Sequence, residues 1–377
     1  MLALIIEYSK VIKYMKYAFT TLGLGLLSSF TAWAAPNDLY LQANSFTQTD
    51  TALSIGIDAV NDTIDVFNIR ESEGVSEGAG DYIGAHVHLM HKFSPTWGLE
   101  ASYQYREIDY AQDTNTISSP LLAVRYTPDF NLNKNDTVIF RLSTWGNFSD
   151  EIKKSTPTQI QNRTLEQITV QDAQDWQLQL DSIFSRKIDH MNMVNLFTTL
   201  GYSKVKVDQL NIQGQKDGCL MDLQIQSNNQ YTGQLSQPCR IDDLIVKELN
   251  IAGDANELGI DIQKDLNYDA FYAGFGGSWN WRYRNFESQL AYQYQRLWRK
   301  DIDDRISNFG AAPIKDNHSV GLKLNYDFSP QVRGFIKGEM YQHNLIGYVP
   351  FLYNGVTASR LDKRYGLASV GITLHGF

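Results

Sequence analysis

The stretch from Asp269 to Lys300 constrains the fold more than any other, because it states one pattern twice. Every second residue from Phe271 reads Phe271, Ala273, Phe275, Gly277, Trp279, Trp281, Tyr283, and the intervening set is Tyr272, Gly274, Gly276, Ser278, Asn280, Arg282. After a turn at Arg284-Asn285 the alternation resumes. Phe286, Ser288, Leu290, Tyr292, Tyr294 and Trp298 oppose Glu287, Gln289, Ala291, Gln293, Gln295 and Arg299. A period of two belongs to strands, whose successive side chains point to opposite faces. Strands of soluble sandwiches run to about 5–6 residues and seldom carry rows of Trp, Tyr and Phe on an outer face. A membrane-spanning strand needs about 9–11 residues, an apolar outward band and aromatic belts at the two interfaces. Both strands of this hairpin meet that description.

Composition agrees with a barrel of such strands. The 377 residues are 43% hydrophobic, mean hydropathy is −0.33, and the body of the chain has no run of about 20 apolar residues to make a spanning helix. A polar lumen-facing half lowers the average in this way. The first 34 residues read as a signal peptide: Lys10, Lys13 and Lys16 precede an apolar run from Tyr17 to Phe30, and Ala32-Trp33-Ala34 offers a cleavage site before Ala35. Met15 is an alternative start to Met1. Removing this segment takes three lysines and Glu7 from 33 basic and 42 acidic side chains, leaving 30 and 41 and a net charge of −11. So acidic a chain is not expected to bind nucleic acid.

Strands fall at roughly 53–59, 80–92, 97–109, 117–127, 136–146, 174–187, 193–206, 268–283, 286–300, 317–328, 332–344 and 364–377. The connections alternate between short ones, near 93–96, 128–135, 189–192, 284–285 and 328–331, and long ones, at 109–116, 146–173, 207–267, 301–316 and 347–363. Short turns at one end and long loops at the other are the asymmetry of transmembrane barrels, and both termini on one side require an even strand number. The expectation is an all-β, antiparallel, up-and-down transmembrane barrel of twelve strands, or fourteen if 38–46 and 63–70 also pair.

Residues 207–267 are too long for a bare loop and are expected to carry structure of their own. Ten acidic residues against Lys216, Arg240, Lys247 and Lys264 give this segment a charge of −6. It holds both cysteines of the chain, Cys219 and Cys239, which an exported chain can join in one disulfide. A large external insertion results, either folded into the mouth or standing above it.

The leader segment, the paired alternating strands, the aromatic girdles and the terminal Phe377 together make the chain resemble Gram-negative outer-membrane β-barrels of the porin-like class. The resemblance covers nearly all of the mature sequence. It implies Sec-type export, cleavage near Ala34, residence in the outer membrane against lipid and lipopolysaccharide, recognition of Phe377 by the barrel-assembly machinery, and passage of small hydrophilic solutes. Phe377 is one residue out of step with Val370, Ile372 and Leu374, so Gly376 is expected to host a kink.

No cofactor or metal is expected. His86 and His88 share a face, but two imidazoles alone are a weak ligand set. A barrel hydrolase would need a serine or aspartate beside a histidine on one face; His318 and Ser319 point to opposite sides, Asp189-His190 sits in a short turn, and Asp301, Asp303 and Asp304 lie at a strand top. No catalytic residue is assigned. The strand phase sends Lys92, Arg106, Arg125, Arg141, Lys187, Arg282, Arg299, Lys323, Arg333 and Lys337 inward, with Asp58, Glu100, Asp181, Glu287, Asp327 and Glu339. Charge on the lipid face costs about 2–4 kcal/mol for Arg or Lys at midplane, so the interior must take it. The expected pore lining is Arg106, Arg125, Arg141, Arg282, Lys323, Arg333 and Lys337 with Glu100, Glu287 and Glu339, a positive excess that favours anions. The alternative is a bore filled by cross-lumen pairing, leaving a surface binding or display scaffold that acts through 207–267.

Overall fold

The computed structural model describes residues 50–76, 78–110, 112–160, 163–216, 219–241, 244–343, 346–355 and 357–377. The expected leader segment, its cleavage site and the candidate strand at 38–46 lie outside them. In chain order the strands are β1 (Thr51–Val60), β2 (Ala79–Lys92), β3 (Trp97–Tyr110), β4 (Asp113–Tyr126), β5 (Asp136–Lys154), β6 (Thr158–Ile160), β7 (Arg163–Lys187), β8 (Asn192–Lys206), β9 (Gln209–Lys216), β10 (Cys219–Gln226), β11 (Gln230–Leu235), β12 (Cys239–Ile241), β13 (Leu244–Val246), β14 (Asn250–Asp254), β15 (Tyr268–Tyr283), β16 (Phe286–Arg299), β17 (Asp316–Asp327), β18 (Val332–Tyr341) and β19 (Tyr365–His375).

Twelve of these close into one antiparallel barrel, β1 to β5, β7, β8 and β15 to β19, with each strand beside its neighbours in that order. The seam is β1 against β19, where Ile55 faces Ile372 and Asp58 faces Ser369. Fourteen strands are excluded at 63–70, where the chain makes turns and a short helix, Ile69–Ser72. Arg70 fixes this loop from inside, reaching Asp62 at 3.1 Å, Asp81 at 2.5 Å and the carbonyl of Ala79 at 2.6 Å.

Two connections expected to be long are not. β3 and β4 meet in a tight hairpin, with Tyr110 opposite Asp113; the Asp and Asn of this stretch read as loop, yet the hydroxyl of Thr114 donates to Asp109 across the ladder at 2.6 Å. β5 and β7 likewise run past 146 and 174, Ser149 pairing with Ala173 and Lys154 with Ile168. One face of this upper ribbon, with Ile152, Ile168 and Val170, packs on the core of the mouth and the other is polar, so the outward apolar band that marked the lower portion is missing. Residues 209–254 continue this upper sheet: β9 lies on the first part of β7, and β10, β11 and β14 follow. Cys219 and Cys239 are joined in a disulfide.

The outside of the barrel is apolar. Leu200 is 62% exposed and Phe271 64%, values that in water would mark an error or an interface. Trp97, Tyr126, Phe130, Tyr283 and Phe328 ring the short-turn end, and Trp176 and Trp298 ring the other. Gly376 takes φ +64°, and beyond this kink Phe377 is 70% exposed. Among the described residues no helix is long and apolar enough to cross a membrane.

Candidate functional site: the lumen and its mouth

Alternation sends one side chain in two into the bore, and glycines decide where aromatic ones lie flat. The ring of Tyr272 crosses Gly201, where a Cβ would sit 2.1 Å from its Cζ, and its hydroxyl donates to Gln179 Oε1 at 2.9 Å. Phe335 covers Gly56 and Gly371 on the far wall in the same manner. Such rings narrow a twelve-stranded bore, whose width already lies near the limit at which side chains fill it.

Toward the short turns the filling is ionic. Glu100 accepts from Arg125 and, at 2.8 Å, from Arg141 Nε, and Arg141 Nη1 reaches Asp181 at 3.1 Å. Thr199 and Gln179 donate to the other Asp181 oxygen at 2.7 and 2.8 Å. Across the lumen Arg333 pairs with Asp327 at 2.6 Å and Glu287 at 3.2 Å, and Arg282 with Asp327 at 2.8 Å. Lys337 lies 3.6 Å from Glu339, and the Lys323 ammonium sits 4.6 Å above the Phe335 ring. All ten residues expected to line a pore therefore turn inward, but at least five of the seven cations, Arg125, Arg141, Arg282, Arg333 and Lys337, are held by carboxylates. Midway up, Asp58 accepts from Ser369, from His86 Nδ1 at 2.8 Å and from Gln104 Nε2 at 3.0 Å. His86 is thus bound to a carboxylate, and His88 lies 3.9 Å from Glu100.

Toward the long loops the filling is apolar, and its main source is the segment between β18 and β19, residues 342–364. Ile346, Tyr348, Val349, Phe351, Tyr353, Ala358 and Leu361 are buried, packed with Val60, Tyr82, Ile117, Val205, Ile302 and Ile306. Polar groups of the wall fix the segment in place. The Tyr348 hydroxyl donates to Gln104 Oε1 at 2.6 Å, Asn147 Nδ2 donates to the Tyr348 carbonyl at 3.1 Å, and the Tyr268 hydroxyl donates to the Pro350 carbonyl at 2.6 Å. Two guanidiniums stack on its rings, Arg106 at 4.8 Å from the centre of Tyr348 and Arg299 at 3.8 Å from that of Tyr353. Cation–π contacts of this kind strengthen when desolvated. Arg106 is wholly buried, and its Nη2 is held by the neutral groups of Ser119 and Asn147. Asp303, beneath Tyr353, has its carboxyl raised by burial and drawn back by Arg299.

Residues 207–267 were expected either to fold into the mouth or to stand above it; Leu210, Ile212, Ile225 and Ile262 join the mouth core, beside the 342–364 segment. Its apolar run, Ile346 to Tyr353, was the available signal, since an exposed loop has no reason to be so greasy. Closed ladder, apolar belt and interior charge together decide the class. The chain is an outer-membrane-type β-barrel.

No family model matches this barrel, and no curated protein does. Among solved structures it is similar to the CymD monoaromatic hydrocarbon channel, with 10% identity, a TM-score of 0.38, and coverage of 92% of this chain and 99% of that one. The NanC porin gives 9%, 0.41, 86% and 100%. The translocator domain of the autotransporter NalP from Neisseria meningitidis gives 10%, 0.43, 90% and 93%. The architecture rests on the barrel's own strand order and closure.

Proposed function

We propose that this barrel is a diffusion channel for small hydrophilic solutes, closed at rest by residues 342–364, with a mild preference for anions. The observation that carries the reading is the division of the bore. Its lower part is lined by ionisable groups from most of the strands, which a purely structural filling does not need, whereas its upper part is stopped by one segment joined to the wall at both ends. Arg106, whose hydrogen bonds go to neutral groups and whose nearest carboxylate, Asp175, is bound by Asn147, supports the anion preference once that segment moves. Lipid and lipopolysaccharide are the partners proposed for the outer belt, and the assembly machinery for exposed Phe377. Sec-type export with cleavage after Ala34 would deliver the chain to a Gram-negative outer membrane.

Planar-bilayer recording of the refolded protein in a KCl gradient tests this. Brief openings with a reversal potential on the anion side are expected. Silence that persists after residues 346–355 are replaced by a Gly-Ser linker, or a clear cation preference, overturns it.

A second reading, a plugged barrel that displays residues 207–267, is favoured by the packed apolar mouth. Deleting 209–254 separates the two: a channel keeps conducting, and a display scaffold loses its partner. No hydrolytic role is proposed. Ser319 faces the interior, while His318 lies on the outside against Tyr292 and Tyr294.

A further inference from the structure

Arg125, Arg141, Arg282, Arg299 and Arg333 each reach a carboxylate inside the bore. Among the described residues, Arg106 on β3 does not. Its Nη2 donates to Ser119 and, at 2.6 Å, to Asn147 Oδ1. Its Nε and Nη1 are buried and find no hydrogen-bond partner among the described residues. Asp175, on the far side of Asn147, is engaged elsewhere: Asn147 Nδ2 donates to its two oxygens at 3.0 and 2.9 Å, and Gln177 Nε2 to one of them at 3.1 Å. Buried polar groups are nearly always paired, and a guanidinium cannot shed its charge. A wall that needed only bulk at this depth would be served better by an uncharged side chain. Donors left over on a permanent cation call for an oxyanion.

In the closed form Tyr348 covers this position. Its ring lies over the Arg106 guanidinium, its hydroxyl donates to Gln104 Oε1, and its carbonyl accepts from Asn147 Nδ2. Departure of the 342–364 segment therefore strips a donor from Gln104, an acceptor from Asn147 and the cover from a cation. All three belong to one patch of wall: Gln104 and Arg106 are same-face neighbours on β3, and Ser119 stands opposite Gln104. A ligand that replaces the segment must bring an anionic acceptor to Arg106 and a hydroxyl to Gln104. We propose that Arg106, Gln104 and Asn147 bind a small hydroxylated monocarboxylate, and that Tyr348 occupies this site while the barrel is closed. One negative charge suits the site better than two, because Asp175 stands behind Asn147. The proposal rests on the channel reading above in treating 342–364 as movable, and adds the class of solute and its site. A solute that binds only the open form shifts the balance toward it, so the solute opens its own path.

Calorimetric titration of gluconate tests this without reference to conduction, using the full-length barrel in detergent and the variant with residues 346–355 replaced by a Gly-Ser linker. Saturable binding is expected in the linker variant and about tenfold or more weaker binding in the intact barrel, where Tyr348 competes. Arg106→Lys keeps the charge but loses the planar donor set, and should weaken gluconate about tenfold or more in the linker variant. Gln104→Ala should weaken gluconate but not propionate, which has no hydroxyl. The heat-modifiable gel shift reports that each variant is folded. Phosphate bound as tightly as gluconate, affinity untouched by both substitutions, or equal affinity with and without the stopper would overturn the proposal. Planar-bilayer recording separates it from the reading it rests on. Conduction with no gluconate binding strikes out the site and leaves the channel; gluconate binding with no conduction in either form keeps the site and strikes out the channel.

Discussion

The two halves of the interior are closed by opposite chemistry, and by different parts of the chain. Near the short turns the filling comes from the wall itself, mostly one or two charged residues per strand, so it moves only if the barrel does. Near the long loops it comes chiefly from residues 342–364, whose buried side chains leave together if the segment swings out. In the proposed channel, a stopper of the first kind would set selectivity and a stopper of the second kind access. The contrast says which groups to change to separate those effects.

The largest effect should come from removing the upper stopper. Burial of each large apolar side chain is worth about 1.5–3 kcal/mol, and Ile346, Tyr348, Val349, Phe351 and Tyr353 all lie buried in this stretch, so removing them should shift the balance strongly toward an open bore. Replacing residues 346–355 by a Gly-Ser linker is expected to raise mean conductance by at least about tenfold. An unchanged trace would show that the ionic half alone blocks the bore, and the comparison fails.

Next is Glu100→Gln in the lower half. Glu100 holds both Arg125 and Arg141, and removing one partner from a buried ion network costs about 3–5 kcal/mol. Urea unfolding followed by tryptophan fluorescence should show a loss of that size, with reversal potentials shifted toward anions and opening frequency unaltered. A change in frequency would mean that the two halves are coupled.

A finer cut is Tyr348→Phe. It deletes the hydrogen bond to Gln104 but keeps the ring over Arg106, so the closed form should lose about 1 kcal/mol and open about fivefold more often. Gln104→Ala combined with it should add less than the sum of the single changes, since the two share one bond. Full additivity would remove this bond from the account of closure.

The contrast also explains what the sequence could disclose. The wall was legible because lipid on one side and charge on the other impose a strict period of two, as from Phe271 to Trp298, and the inward phase of Arg106, Arg141 and Glu287 followed from it. The stopper was not. Ile346, Tyr348, Phe351 and Tyr353 belong to no regular element, and whether a greasy loop turns into a mouth depends on partners such as Gln104, Asn147 and Tyr268, which lie up to 244 residues away in sequence. The upper sheet of residues 209–254 lay between these cases. Gln209, Asn211 and Gln213 alternate with Leu210 and Ile212 as plainly as any strand, but the acidic residues scattered through the same segment pointed toward charge instead.

The smallest effect concerns the root of the stopper. His343 is largely buried where the segment leaves β18, its Nδ1 3.2 Å from Asp362. Burial pulls its pKa below the ordinary 6.5, while Asp362 and Asp316 oppose the shift and His318 adds to it. The docked segment therefore prefers neutral imidazole. Well above pH 6.5 the ring is neutral whether the segment is docked or released, and docking is at full strength. As pH falls below that value the released segment takes up the proton first, so docking weakens until the docked ring is protonated too. Asp362 is 67% exposed, and solvent screens its attraction, so it reduces the effect without reversing it. Opening should rise between neutral and mildly acid pH, and His343→Gln should flatten the profile without altering the reversal potential. A profile that survives the substitution would move the acid response to another group; one that inverts, with closure tightening in acid, would mean that the pair with Asp362 governs the docked state and burial does not.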